Sequence, residues 1–295
     1  MSKSKKHNSC KVMREFEFRV SLEFNNKKAT DFLKLKGVSK EIIKKVKFGG
    51  VFVNGKVLQN INDRLITGDT LKVVFPQDAS NPYVKPIKGN LQIVYEDDYL
   101  LAVNKPKGML THSSKGNQSI SLDQLIYGRF FPQPFTFRAI NRLDKDTSGI
   151  VLVAKDALTA SILGEQIKRG EIVKTYSALI KGTPIQDDFV IEKPIKRKNS
   201  NGIERECAVD GKYAKSICNV IKRLENGNSI VEVKLITGRT HQIRVHLSSI
   251  GFPLYADGLY GQGVAGETYC LCAKKLQFNH PITKKEIVIE LNEHI

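Results

Sequence analysis

From residue 91 onward the chain lays down one strand-like run after another: "LQIVYE", "YLLAVNK", "IVLVAK", "VKTYSALI", "KSICNVIK" and "SIVEVKLI". β-Branched and aromatic residues fill these runs, and turn-forming residues separate them. Only three helical stretches interrupt them, expected at 121–129, 157–169 and 240–249. Strands that follow one another so closely pair antiparallel, because a parallel pair needs a long crossover. The expected fold class is therefore α+β: a mixed, mostly antiparallel sheet with a few interposed helices, not a doubly wound α/β sheet.

A different unit precedes this region. Residues 14–24, "REFEFRVSLEF", alternate strictly, so that Phe16, Phe18, Val20, Leu22 and Phe24 share one face of a half-buried strand. "KATDFLKLKG" reads as a short helix ended by Gly37. Ser39 caps a second helix, "KEIIKKVKF", stopped at Gly49-Gly50. On that helix Lys40, Lys44 and Lys47 fall on one face, and Ile42, Ile43 and Val46 on another. "VFVNGKVL" is a hairpin around Asn54-Gly55, and "GDTLKVVF" closes the unit as a strand. The polar segment 77–90, with prolines at 82 and 86, reads as a linker between a domain at 14–76 and a larger one at 91–295. Residues 1–13 read as a disordered basic tail.

Charge narrows the partner. The 295 residues carry 47 basic and 30 acidic side chains, a formal net charge of +17, which suits a polyanion and most often nucleic acid. Six lysines lie between Lys34 and Lys47 against one acid, Glu41, and such a face can sit on a phosphate backbone. No apolar run reaches the roughly 18 residues of a membrane span, and the N-terminus has no apolar signal core. The five cysteines are irregularly spaced and read as free thiols of a reducing cytoplasm. No Cys/His set completes a metal site, and no glycine loop for a nucleotide is evident, so no cofactor is expected.

Against this basic background "INRLDKDTSG", residues 140–149, places Asp144 between Arg142 and Lys145, directly before the apolar run 150–154. A loop carboxylate is ordinarily a turn or cap residue. Here the loop sits at the end of a core strand, where sites are commonly built. A second polar cluster, "TGRTHQIRVHLSSIG", spans 237–251. Arg239 stands at the expected helix start, where a guanidinium opposes the helix dipole unless a carboxylate meets it. Arg244 reads as an exposed helix residue. His241 and His246, five apart, do not share a face and read as structural or RNA-facing.

At this point the chain resembles a known family. "NRLDKDTSGIVLVAKD", "KTYSALIKG", "GRTHQIRVHLSSIGFPLYADGLYG" and "LCAKKLQFNHP" look like the four successive motifs of the RluA/RluD pseudouridine synthases, in the family's order. Asn141 and Cys272 stand where that family often has histidine. The N-terminal unit resembles the S-four RNA-binding domain through "DFL", "SKEIIKKVKFGGVFVNGKVL" and "GDTL". The resemblance implies isomerisation of uridine in RNA. The bond from the sugar to ring nitrogen one breaks, the uracil turns, and ring carbon five takes its place. It implies Asp144 as nucleophile or base on a flipped-out uridine, with Arg239 paired to it and keeping it ionised. It implies Tyr176 stacked on the base, Arg142 in the space the base leaves, and Leu271 lining the pocket. Lys40, Lys44 and Lys47 are the expected RNA contacts. Large-subunit ribosomal RNA is the expected substrate and transfer RNA the alternative, for a cytoplasmic monomer without membrane attachment. Two other readings stay open: an RNA assembly factor with a vestigial catalytic domain, and a base hydrolase, which would release free uracil.

Overall fold

The computed structural model describes residues 13–78, 80–114 and 119–292. The N-terminal tail expected at 1–13 lies outside these residues, except for Met13, which opens the first strand.

In the N-terminal unit, β1 (Met13–Arg19) is followed by α1 (Ala29–Leu35), α2 (Lys40–Val46), β2 (Val51–Val53), β3 (Lys56–Val57) and β4 (Thr70–Pro76). The four strands form an antiparallel sheet in the order β1-β4-β2-β3. The alternation in β1 buries Phe16 and Phe18, and Val20 just beyond it, against Phe32, Leu33, Ile42, Ile43 and Val46. The alternation stops there: Leu22 is 78% exposed, because residues 22–24 turn into a 3-10 helix once Val20 has bonded to Asp69. Ser39 caps α2, its hydroxyl accepting from the Ile42 amide at 3.3 Å. Asn54 and Gly55 both have positive φ (48° and 81°), as a two-residue hairpin turn between right-twisted strands requires.

Residues 80–90 carry no strand or helix. The larger sheet then builds from β5 (Gln92–Glu96), β6 (Leu100–Lys105), β7 (Arg138–Ala139), β8 (Ser148–Ala154), β9 (Val173–Lys181), β10 (Asp188–Glu192), β13 (Lys215–Arg223), β14 (Asn228–Leu235), β15 (Leu271–Asn279) and β16 (Glu286–Glu290). A separate ribbon pairs β11 (Ile195–Arg197) with β12 (Arg205–Cys207). The helices are α3 (Leu122–Phe130), α4 (Ala157–Lys168) and α5 (Gln242–Ser248). The main strand order is β10-β13-β14-β9-β15-β8-β6-β5, with β16 on β15 and β7 on β8. Among the described residues every pairing between strands of this sheet is antiparallel except β15 with β8. The expected α+β class with a mixed, mostly antiparallel sheet is thus the observed one.

The sheet is buried on both faces, so its centre reads as continuous apolar runs. Along β8, Val151 and Val153 enter the core beneath α3 and α5, while Ile150 and Leu152 enter the core beneath α4. Helix α4 belongs to two cores at once. Leu163 packs into the larger sheet, whereas Leu158 and Ile162 complete the apolar cluster of the N-terminal unit. Ser161 Oγ also donates to the Gly37 carbonyl at 2.6 Å.

The close pass of β15 beside β8 demands one glycine. Gly149 has φ of 110°, and a Cβ there would stand 2.5 Å from the Ala273 carbonyl oxygen. The Thr-Ser-Gly at 147–149 therefore brings the strand after Asp144 against the strand that starts at Leu271.

Candidate active site

Asp144 sits in the loop before β8, and the loop is pinned on both sides of it. Leu143 exchanges two hydrogen bonds with Thr111: its carbonyl accepts from Oγ1 at 2.9 Å, and its amide donates back at 3.3 Å. Lys105, fully buried at the end of β6, donates to the carbonyls of Pro106, Met109 and Lys145 at 3.0, 2.7 and 3.1 Å. Burial pushes the Lys105 ammonium down to about 8, against the opposing pull of Asp146 and Asp144. The Thr147 amide donates to the Asp144 carbonyl, and the Thr147 hydroxyl lies 3.4 Å from the Tyr269 hydroxyl. A carboxylate so held has little freedom to move with its backbone.

The cation beside Asp144 is not the one expected. Arg244 Nη1 stands 3.6 Å from Asp144 Oδ2. Arg239 is instead exposed, donating through Nε to the Tyr213 carbonyl at 2.9 Å. The pairing expected for Arg239 is corrected to Arg244, and the reason is the shape of α5. The helix starts at Gln242, after His241 in the left-handed region (φ 56°). It is buried nearly all round, from Gln242 to Leu247. Arg239 therefore stays on the loop, its backbone amide bonded to the Gln242 side chain at 2.9 Å. Arg244, expected on an exposed face, is only 7% exposed.

Arg244 is fixed from three directions. Nε and Nη2 each donate to the fully buried Asp257 carboxylate at 2.8 Å, a bidentate fork. The guanidinium carbon lies 4.9 Å from the Tyr260 ring centroid and 4.4 Å from that of Tyr269. Burial opposes charge on both partners. Their mutual hydrogen bonds outweigh it, leaving the Arg244 pKa raised and the Asp257 pKa lowered. The Leu259 and Tyr260 amides also donate to Asp257. One edge of the guanidinium is spent on this anchor, and Nη1 is left for Asp144.

A recess of about 70 Å³ gathers Asp144, Tyr176, Arg142, Leu271 and Arg239, all expected from the sequence, with Arg244 and His241, which were not assigned there. It opens into a cleft of about 1000 Å³ that also reaches Lys174 and the C-terminal end of α4. Tyr176, on β9, is buried, and burial and the Asp144 charge push its hydroxyl well above the ordinary tyrosine range. It thus presents a neutral aromatic face. Leu271 is buried at the start of β15, and Arg142 is exposed at the rim. Asn141 spends its carboxamide on β8, bonding the Ile150 carbonyl and the Leu152 amide. His246 is wholly buried between Ser216 and the Lys193 carbonyl, a structural residue. His241 lies 3.7 Å from Asp144. Lys40, Lys44 and Lys47 are all exposed, on a surface formed by the N-terminal unit.

Chemically, the recess offers a carboxylate beside a fixed guanidinium, an aromatic platform and an apolar wall. Among the described residues no group of three or more His, Cys, Asp or Glu is placed to hold a metal ion. No helix among them is long and apolar enough to cross a membrane.

Comparison with known proteins agrees with this geometry. Residues 99–249 match the family model described as RNA pseudouridylate synthase. The uncharacterized RNA pseudouridine synthase YhcT of Bacillus subtilis is 37% identical, over 72% of each chain. Ribosomal large subunit pseudouridine synthase D of Buchnera aphidicola subsp. Schizaphis graminum is 33% identical over 84% of each chain. Among solved structures, human RNA pseudouridylate synthase domain containing 1 superposes with a TM-score of 0.56 at 28% identity. It covers 69% of this chain and 84% of its own.

Proposed function

The chain belongs to the RNA pseudouridine synthase family, and from that premise we propose that it isomerises uridines of large-subunit ribosomal RNA in the recess around Asp144. The observation that carries the reading is the Asp144–Arg244–Asp257 arrangement facing Tyr176. The choice of ribosomal over transfer RNA rests on the names of such relatives as the Buchnera large-subunit enzyme.

A uridine inside a helix is out of reach, so it must be flipped out, at a cost of a few kcal/mol. Arg142 at the rim takes the space it leaves, a guanidinium replacing part of the lost stacking. The base enters between Tyr176 and Leu271. Asp144 acts on the flipped nucleotide as nucleophile or base while Arg244 fixes its carboxylate. Arg239 and Lys174, at the wall of the wider cleft, meet the phosphate backbone. Lys40, Lys44 and Lys47 bind RNA at a distance from the chemistry, in an S-four-like domain at 14–76 joined by the linker 77–90 to the catalytic domain at 91–295. The protein acts as a cytoplasmic monomer.

Asp144→Asn keeps the shape of the recess and removes the carboxylate. Pseudouridine formation should fall at least ~10²–10⁴-fold, the range of a positioned acid or base. RNA affinity should stay within a few-fold. Carbodiimide mapping of ribosomal RNA incubated with each protein reads the outcome, and substantial turnover by the variant would sink the assignment. Free uracil as a product would favour hydrolysis over isomerisation.

A further inference from the structure

We infer that His241 is a positioning residue for Asp144, held by Tyr260 as the neutral tautomer whose proton is on Nε2. The inference rests on the proposed role of Asp144 and adds to it a second donor beside Arg244.

Hydrogen-bond accounting carries it. The Tyr260 hydroxyl oxygen lies 2.8 Å from the backbone nitrogen of Arg205, on β12, and 2.7 Å from His241 Nδ1. A backbone N–H only donates, so the hydroxyl accepts from Arg205. Its single proton is then available for His241 Nδ1, which accepts. The imidazole proton is left on Nε2, the nitrogen that faces Asp144 Oδ2 at 3.7 Å. The other tautomer would leave the tyrosine proton without this acceptor and would aim a lone pair at a carboxylate. Two separate contacts of the ring thus select the same tautomer.

The surrounding charges agree. Burial lowers the His241 pKa; Asp144 pulls it up, Arg244 and Arg205 push it down, and Asp257 pulls it up, with a net downward shift. Among the described residues these four and Tyr260 face the ring from the Asp144 loop, α5, β12 and the loop after α5, and Arg142 and Arg239 line the same recess. The ring is therefore neutral at neutral pH and serves as an N–H donor. His241 stands in the left-handed region (φ 56°) directly before α5.

Arg244 and His241 both make their nearest approach to Asp144 through Oδ2. At 3.6 and 3.7 Å neither is yet a hydrogen bond. A small closure over the substrate would make both, fixing the carboxylate's rotation and presenting Oδ1 to the nucleotide. The relay also ties the β11–β12 ribbon to the chemistry through one backbone amide.

The test combines a direct and a kinetic readout on the full-length protein. Nitrogen-15 shifts of the His241 imidazole at neutral pH should show a protonated Nε2 and an unprotonated Nδ1. The reverse pattern, or averaging between the two, overturns the inference without reference to turnover. In kinetics, His241→Leu and Tyr260→Phe should lower kcat by roughly ten- to a hundredfold, the scale of a small misplacement of the reacting group, with KM within twofold. His241→Gln, whose side-chain amide can reach Asp144 as Nε2–H does, should recover most of the loss. Equal losses in the Leu and Gln variants, with unchanged circular dichroism, overturn the positioning role. Activity retained by Asp144→Asn would instead remove the functional reading and leave the tautomer standing.

Discussion

The floor of the Asp144 recess and the lysine face of α2 both manage charge, and they do so in opposite ways. On the floor, Arg244 and Asp257 are buried, bidentate and walled by two tyrosine rings. On α2 and just past its end, Lys40, Lys44 and Lys47 stand in solvent, and the Lys47 ammonium rests 4.5 Å over the ring of Phe48, itself 85% exposed. Burying an ion pair costs several kcal/mol per ion in desolvation, so it is weak evidence for stability and better evidence for a geometry being held. Exposed lysines pay no such cost and hold no geometry, yet each can release counterions from a phosphate backbone. The difference separates placing an atom from attracting a polymer.

Breaking the floor should have the largest effect. Asp257→Asn leaves the Arg244 charge buried without its anion, so urea denaturation should show a loss of about 3–5 kcal/mol. Pseudouridine formation should fall with it, since Arg244 loses its orientation. A variant as stable as the parent would show that the fork does not hold the floor. Next comes the lysine face. Replacing Lys40, Lys44 and Lys47 together by serine should leave kcat intact. Measured by filter binding across salt, it should flatten the slope of log affinity against log salt by about two to three. An unchanged slope would place the RNA elsewhere.

Arg239→Ala sharpens the contrast between two arginines five residues apart. Being exposed and bonded to a backbone carbonyl, Arg239 should matter to KM by a few-fold and little to kcat, whereas Arg244→Ala should cost kcat ~10²-fold or more. Equal losses would return the pairing role to Arg239. The smallest effect is on the acid side of stability. His241 and His246 both have pKa values pushed down by burial, and Asp257 is also held down. The unfolded chain therefore binds more protons than the folded one in acid. The histidine contribution to stability should be full above about pH 6.5. It should fall by up to ~1.4 kcal/mol per pH unit for each histidine as the pH drops toward the folded values. Asp257 adds a second loss below about 3.8. Denaturation melts between pH 7 and 3 check both windows.

Much of this was legible in the sequence wherever one local rule acted alone. Alternation gave Phe16, Phe18 and Val20, the capping serine gave the start of α2, and apolar runs gave β6, β8, β9, β13 and β14. Short edge elements such as β7 and the β11–β12 ribbon bury too little to leave a pattern. Asp144, Tyr176 and Leu271, which line one recess, stand in contiguous motifs that the sequence displays directly. Arg244 was missed for a physical reason. A polar residue on a helix reads as exposed, but α5 is short and enclosed, and its polar residues are buried against partners from other segments. Asp257 comes from a loop thirteen residues away, and Tyr269 from just before β15, and periodicity carries no information about either. His241 depends likewise on Tyr260 and on a backbone amide of β12, partners that only the folded chain brings together.

Helix α4 contributes Leu158 and Ile162 to one core and Leu163 to the other. Swinging the lysine face away from Asp144 would strip Leu158 and Ile162 of their neighbours, at about 1.5–3 kcal/mol for each side chain exposed. The two ends of the molecule therefore behave as the jaws of a caliper with a stiff hinge. Under the proposed function, an RNA is measured before it is modified: a uridine qualifies when it lies one fixed span from a groove the lysines can grip.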